Sequence, residues 1–241
     1  MPKFGKLNLN VFSARDIEKE NVPWKISDVL FTYVFVFALS LIAVGILFLT
    51  RIDADTSLFQ AIFQIIISFA TVGIIYVIIS KKYEVPFFQA LGISAKDTPG
   101  YLWKGILVTL ILIISTSVVS VVFAQFVGVP KQNPYGNLPE DKLRMLSVLA
   151  VLVAPFVEET FFRGFMQPAL IKNLGAFGGI LITALIFGIS HTQYLAYSPD
   201  LVAVTVIGLI LGITRYQTGS IMPGIFAHLL NNLAAAMSLY R

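Results

Sequence analysis

The chain has 241 residues, of which 57% are hydrophobic and only 12% are charged, and its mean hydropathy is +0.84. Soluble domains carry roughly 25% charged residues, so this composition excludes an ordinary soluble protein. The formal net charge of +4 comes from 17 Lys and Arg residues that lie between apolar runs rather than along one face, which argues against nucleic-acid binding. Because the chain has no cysteine, disulfides, a thiolate nucleophile and Cys-bound zinc are also excluded.

Residues 1–26 form a mixed, charged arm without the small-residue cleavage site of a signal peptide, and we expect this arm on the cytoplasmic side of a membrane. Three uncharged runs follow, and each reaches the about 20 residues that a helix needs to cross a bilayer. These runs are residues 29–50, 58–80 and 105–130. Residues 27–142 are therefore predicted to be N-terminal transmembrane helices with their loops.

Four further apolar runs lie within residues 143–241, namely residues 145–171, 174–199, 201–214 and 216–240. The shortest, 201–214, covers only ~21 Å of a ~30 Å hydrocarbon core at ~1.5 Å per residue, so we expect Ser198 and Pro199 to add its cap and first turn. The runs lack the period-2 alternation of barrel strands, and lipid demands internally paired backbone groups. The sequence predicts an all-α polytopic transmembrane bundle with about seven spans, with six or eight as alternatives.

Lys and Arg are distributed unevenly between the short loops. With seven spans and the N-terminus inside, most of them lie on the inner side, which favours a cytoplasmic N-terminus and an external C-terminus. The short chain carries no targeting signal, and we expect the plasma membrane of a prokaryote.

Two adjacent carboxylates, Glu158 and Glu159, interrupt the apolar run 148–170. An ionised carboxylate in lipid costs several kcal/mol unless it is paired or faces water. Arg163 follows Glu159 by four residues, the spacing of an ion pair on a helix, whereas Glu158 points about 100° away and is expected to face a cavity. Pro155 should kink the helix beside Glu158. The alternative interpretation is a salt-bridge cluster that only packs helices.

The two histidines of the chain, His191 and His228, both lie in apolar runs. A single buried histidine is more often a core residue than a catalyst, but Asn232 follows His228 by four residues and shares its helix face. Peptide hydrolysis needs a carboxylate that takes a proton from water, an imidazole that orients the water, and donors for the oxyanion. Phe187 precedes His191 by four residues and is expected to pack against its ring.

In order, residues 158–163 read E-E-x-x-x-R, residues 187–191 read F-x-x-x-H, and residues 228–232 read H-x-x-x-N. Three such motifs on three hydrophobic segments resemble the CPBP family of intramembrane proteases, also called the CAAX protease or Abi family. The resemblance implies an intramembrane endopeptidase whose catalytic helices lie in residues 143–241. It also implies a peptide or protein substrate in or near the lipid bilayer, which in some members is prenylated.

By this resemblance, Glu158 is the general base that activates water, and His191 binds or polarises that water. His228 and Asn232 would stabilise the oxyanion. The residues that would support the site are Glu159 and Arg163. Family members have been described both as metalloproteases and as metal-free, glutamate-dependent enzymes.

Glu158, His191 and His228 would be the ligands of a catalytic zinc ion. The local H-E-x-x-H pattern is missing, however, and the two histidines are far apart in the sequence, so we favour a site without a cofactor and keep zinc as the alternative. Two other functions also remain open: a catalytically silent scaffold or bacteriocin-immunity protein, and a proton-coupled transporter that uses the same ionisable residues as a relay.

Overall fold

The structure is a computed structural model that describes residues 22–50, 57–94, 97–126, 138–191 and 198–239, in which every regular element is a helix. This confirms the predicted all-α class. The predicted cytoplasmic arm lies mostly outside the described residues. The helices are α1 (Ile26–Thr50), α2 (Ser57–Tyr76), α3 (Phe87–Ala90), α4 (Thr98–Phe126), α5 (Glu140–Leu152), α6 (Ala154–Glu158), α7 (Gln167–Ser190), α8 (Ser198–Thr218) and α9 (Met222–Ser238), with π-helical turns at Val77–Lys82 and at Glu159–Met166.

Five described stretches are long and apolar enough to cross a membrane, against about seven spans predicted from the sequence. They are Ile26–Ile46, Phe59–Lys82, Thr98–Phe126, Ala154–Ser190 and Pro199–Thr218. One reason for the difference is that α9 has only 17 residues, fewer than the about 20 that span a bilayer. A second is that the 37-residue stretch Ala154–Ser190 contains a reversal of the chain.

The chain before Gly175 runs parallel to α8. Arg163 Nη2 donates a hydrogen bond to the carbonyl oxygen of Gly208 at 3.0 Å, and four residues later Gln167 Nε2 donates to the carbonyl oxygen of Gly212 at 2.9 Å. Residue numbers therefore rise together along the two helices.

The chain after Gly175 runs antiparallel to α8. A Cβ atom on Gly212 would lie 3.1 Å from the Ile180 side chain, and one on Gly208 would lie 3.2 Å from Ala184 Cα, so residue numbers now change in opposite directions. Gly175 itself has φ 72° and ψ 171°, a conformation that is essentially restricted to glycine. The predicted runs 145–171 and 174–199 are therefore two separate arms, joined at Gly175.

The helix that carries the two glutamates is irregular next to them. Helix α5 ends at Leu152, and α6 begins at Ala154 with Pro155 in its first turn. Because proline has no N–H to donate, the helical hydrogen bonding is interrupted here, as predicted. The π segment, defined as Glu159–Met166, follows directly and is buried throughout. Turns of this kind are rare and occur frequently at functional sites.

Helix α8 extends beyond the run predicted from the sequence. It begins at Ser198, as expected, and continues to Thr218, which gives 21 residues. At about 1.5 Å per residue this length crosses a bilayer core of about 30 Å. Its two glycines, Gly208 and Gly212, lie one turn apart and let the π segment and α7 approach its backbone closely.

The helices α1, α2 and α4 expose large apolar side chains over most of their outer surfaces, including Phe48, Phe69 and Phe126. On a soluble protein such surfaces would be an aggregation hazard, whereas in a bilayer they face lipid. Toward the core of the bundle, Trp24 Nε1 donates a hydrogen bond to the carbonyl oxygen of Phe165 at 2.8 Å and so fixes the start of α1 against the π segment.

Replacement of Gly175 by alanine should lower the free energy of unfolding by about 1 to 3 kcal/mol, because alanine has to adopt the same glycine-type backbone conformation. The space around the site is open, so a steric clash does not contribute. Thermal unfolding in detergent measures the effect. Gly73→Ala is the control, because Gly73 lies in helix α2 with equally open surroundings. Equal stability of the two variants would contradict the role of Gly175.

Candidate active site

Three of the four side chains that the sequence predicts to be catalytic lie close together in the structure. Glu158 ends α6, His191 directly follows α7, and His228 lies in α9. Glu158 Oε2 lies 3.9 Å from His191 Nε2 and 3.8 Å from His228 Nε2. These distances are too long for direct hydrogen bonds.

The Nδ1 atom of each histidine lies within hydrogen-bond distance of an acceptor oxygen. His191 Nδ1 lies 2.8 Å from the carbonyl oxygen of Phe187, and His228 Nδ1 lies 3.2 Å from Glu159 Oε1. Because both partners accept hydrogen bonds, we assign the proton of each ring to Nδ1. Both imidazoles then turn Nε2 toward Glu158.

Glu159 and Arg163 form the ion pair that their spacing predicts. Glu159 Oε1 accepts from Arg163 Nη1 at 3.0 Å, and the two side chains are only 1% and 0% exposed. The same oxygen accepts from His228 Nδ1, so one carboxylate orients both a guanidinium and an imidazole. The guanidinium also lies over the Phe187 ring, 4.2 Å from its centroid, which favours a cation there.

The two adjacent glutamates lie in different surroundings. The Glu158 side chain is 25% exposed and that of His191 is 18% exposed, so the candidate site is open at the surface where these two residues lie. Even so, Glu158 Oε2 itself is buried and makes no hydrogen bond within the part of the chain that the structure describes. Glu158 therefore lies at the open side of the candidate site, whereas Glu159 is enclosed in the ion pair.

Asn232 lies one turn after His228 on α9, but its hydrogen bond reaches another helix. Its Nδ2 donates to the carbonyl oxygen of Ala150 at 2.8 Å, near the end of α5. The last carbonyls of a helix have no partner of their own in that helix, and Asn232 provides one for Ala150. A side-chain amide carries two N–H hydrogens, so the second one is left for another acceptor.

The sequence did not reveal Gly224 and Gln167 as part of the site. A Cβ atom on Gly224 would lie 2.9 Å from Glu159 Oε2, so a larger residue would push α9 away from the ion pair. Gln167 follows Arg163 by one turn and is fully buried. The only sequence signal for Gln167 is that a polar residue continues the four-residue spacing of Glu159 and Arg163.

Two imidazoles and a carboxylate are the donor types that catalytic zinc uses. No group of three or more His, Cys, Asp or Glu side chains within the described ranges has the arrangement of a metal site. Glu158, His191 and His228 are the side chains that would hold such an ion, with Glu158 Oε2 3.9 Å from His191 Nε2 and 3.8 Å from His228 Nε2.

The division between the two glutamates can be tested through stability. Glu159→Gln should lower the free energy of unfolding by about 3 to 5 kcal/mol, because it leaves the Arg163 charge buried without its counter-ion. Glu158→Gln, nearly isosteric and at the open side, should leave stability almost unchanged. Folded yield and the thermal midpoint in detergent report both effects. Equal losses in the two variants would refute the division of roles.

Residues 141–234 match the family model described as type II CAAX prenyl endopeptidase Rce1-like. The UPF0177 protein YajF of Lactococcus lactis subsp. lactis (strain IL1403) is 27% identical over 188 residues, which covers 69% of this chain and 89% of YajF. No solved structure matches the chain significantly. The matched segment contains all three sequence motifs and all the residues of the cluster. This segment is similar to the Rce1-like CAAX prenyl endopeptidase family, the family that the three motifs also resemble.

Proposed function

We propose that this protein is an intramembrane endopeptidase of the CAAX protease type, which hydrolyses a peptide bond near the membrane with a water activated by Glu158. The observation that carries the proposal is that Glu158 Oε2 makes no hydrogen bond within the described residues and faces two imidazole Nε2 atoms at 3.8 and 3.9 Å. A carboxylate in this position is within reach of a water that also contacts an imidazole, as general base catalysis requires.

In the proposed reaction, water donates one hydrogen bond to Glu158 and the other to His191. Glu158 takes a proton as the water oxygen attacks the scissile carbonyl, and the protonated Glu158 then delivers that proton to the leaving amine. His228 lies on the other side of Glu158 and donates to the oxyanion from Nε2 when its ring is protonated. The Glu159 carboxylate at Nδ1 stabilises this imidazolium.

We assign Asn232 the second donor to the oxyanion. Its hydrogen bond to the carbonyl oxygen of Ala150 fixes the plane of the amide, and the other N–H remains for the substrate. The substrate is a peptide or protein that reaches the site from the bilayer or its surface. A prenyl group on that substrate would enter lipid, which the exposed apolar helices also contact.

We also propose that the N-terminus is cytoplasmic and that the membrane is the plasma membrane of a prokaryote. Basic residues at the end of the bundle where α1 begins support this orientation. Lys82 ends the π-helical turn that continues α2, Lys104 lies in the first turns of α4, and Arg215 lies in the last turn of α8. Cytoplasmic loops are rich in Lys and Arg, which fits this end of the bundle.

Glu158→Gln should abolish peptide hydrolysis, because an amide cannot accept the proton from water. The measurement compares cleavage of prenylated and unmodified peptide libraries by the purified variant and by the wild-type protein in lipid nanodiscs. The control is Glu140→Gln, which changes an exposed carboxylate at the start of α5. Full activity of Glu158→Gln would refute the mechanism. If the wild-type protein cleaves no peptide of either library, the scaffold interpretation is favoured.

Asn232→Ala should reduce kcat by about 10² to 10³ while KM changes little, because the lost donor acts mainly in the transition state. His228→Ala should reduce kcat further, since Glu159 then also loses its imidazole partner. Metal content is determined for each variant beside its turnover. The zinc alternative predicts that the active wild-type protein contains stoichiometric zinc and that His228→Ala contains none. It also predicts that chelation removes activity and that added zinc restores it. These results together would replace the metal-free mechanism by the zinc alternative.

A further inference from the structure

A cavity of about 620 Å³ lies at the end of the bundle where α4 begins and α8 ends. Its walls come from the turn after α3, the first turns of α4 and the turn that joins α8 to α9. Ligand pockets in proteins measure about 300 to 1,000 Å³, so this cavity has room for a small polar molecule or a lipid headgroup. The candidate catalytic residues Glu158, His191 and His228 do not line it.

Two glycine turns form one wall of the cavity and are fixed against each other. Gly92 has φ 66° and Gly219 has φ 68°, and a Cβ atom on Gly92 would overlap the carbonyl group of Gly219. Next to them, the N–H of Ile221 donates a hydrogen bond to the carbonyl oxygen of Leu91 at 3.1 Å. Leu91 and Ile221 are each 1% exposed, so this wall is continuous with the packed interior. The cavity is therefore preformed.

The cavity lies at the level of the lipid headgroups. Helix α4 has 29 residues, or about 43 Å at ~1.5 Å per residue, which is more than a ~30 Å hydrocarbon core requires. Its uncharged stretch begins at Gly105, directly after Lys104. Trp103 is 59% exposed beside them, and tryptophan is enriched at membrane interfaces. The first turns of α4 therefore lie among headgroups rather than in hydrocarbon.

Two side chains of opposite charge line the cavity, and neither forms an ion pair with another described residue. They are Asp97, which directly precedes α4, and Lys104, in the second turn of α4. Tyr101 lies between them, and its hydroxyl oxygen is 3.4 Å from Asp97 Oδ2 and 3.2 Å from the carbonyl oxygen of Gly92. Because residues three and four apart share a helix face, these three side chains form one row. A ligand that carries both a negative and a positive group matches this row.

The order of the two charges fits a phospholipid headgroup. Lys104 lies on the hydrocarbon side of the row and Asp97 on the water side, because the uncharged part of α4 begins after Lys104. In an ethanolamine phospholipid, the phosphate group is likewise close to the acyl chains, and the ammonium group lies farther out. Lysine donates charge-assisted hydrogen bonds to a phosphate, and an ammonium group donates them to a carboxylate.

We propose that this cavity binds the headgroup of an ethanolamine phospholipid, with its phosphate at Lys104 and its ammonium group at Asp97. A choline headgroup has no N–H to donate to Asp97, and a glycerol headgroup has no positive charge. The bound headgroup contacts the wall beside Leu91, whose side chain packs directly on Gly164 of the π segment. Lipid binding therefore holds this wall against the helix that carries the two glutamates.

Native mass spectrometry of the unaltered protein, purified in detergent, tests the site. Short-chain lipids with identical acyl chains and ethanolamine, choline or glycerol headgroups are titrated separately. One ethanolamine lipid should bind at least about tenfold more tightly than either of the others, because only its ammonium group donates hydrogen bonds to Asp97. Equal affinities of the three lipids would overturn the proposal. Glycerophosphoethanolamine, which has no acyl chains, is the competitor, and if it displaces the lipid at equal concentration, the assignment to a lipid is wrong.

Two variants then locate the bound lipid. Lys104→Gln should weaken the binding of all three lipids by about tenfold or more, because each contains the phosphate group. Asp97→Asn should reduce the affinity for the ethanolamine lipid to that for the choline lipid. The controls are Lys81→Gln and Glu84→Gln, which remove the same charges from exposed residues outside the cavity and should bind like the unaltered protein. An unchanged preference in Asp97→Asn would refute the site. Because no cleavage is measured, these results do not depend on the peptidase assignment.

Discussion

The buried ion pair between Glu159 and Arg163 is the interaction on which the second half of the protein depends. Two charges this deep in a bundle are costly unless they are paired with each other and hydrogen-bonded to their surroundings. The carbonyl of Gly208 therefore accepts from the guanidinium, and His228 donates to the carboxylate. Through these bonds, the pair ties α8 and α9 to the π segment. The packing that neutralises the charges is thus the same packing that brings an imidazole to Glu158.

Two neighbouring carboxylates acquire different properties because the helix changes type between them. Glu158 is the last residue of α6, and Glu159 is the first of the π segment. One side chain is 25% exposed and the other 1%, although the residues are adjacent. Burial in a charge network gives Glu159 a fixed geometry, whereas Glu158 keeps an unpaired oxygen. Two identical, adjacent side chains therefore lie in very different surroundings.

The N-terminal helices pack against the helices that carry the candidate site. Trp24 bonds to the backbone of the π segment, and the outer faces of α1, α2 and α4 present apolar side chains to lipid. The similarity to YajF covers 69% of the chain and so extends beyond the family segment 141–234. The motifs alone therefore do not account for all of the similarity to YajF, which also includes part of the N-terminal helices.

The sequence by itself determined the helical class, the ion pair and most of the candidate site. Hydrophobic run length and four-residue spacing are local properties that a helix converts directly into geometry. It did not determine the hydrogen bond of Asn232 to α5, the close approach of Gly224, or the unpaired atoms around Gln167. Those depend on how separate helices meet. The number of spans was likewise left open, because the apolar run 201–214 is shorter than a bilayer core and only the structure shows that α8 has 21 residues. Tertiary packing decided these features because each one joins residues that are distant in the chain.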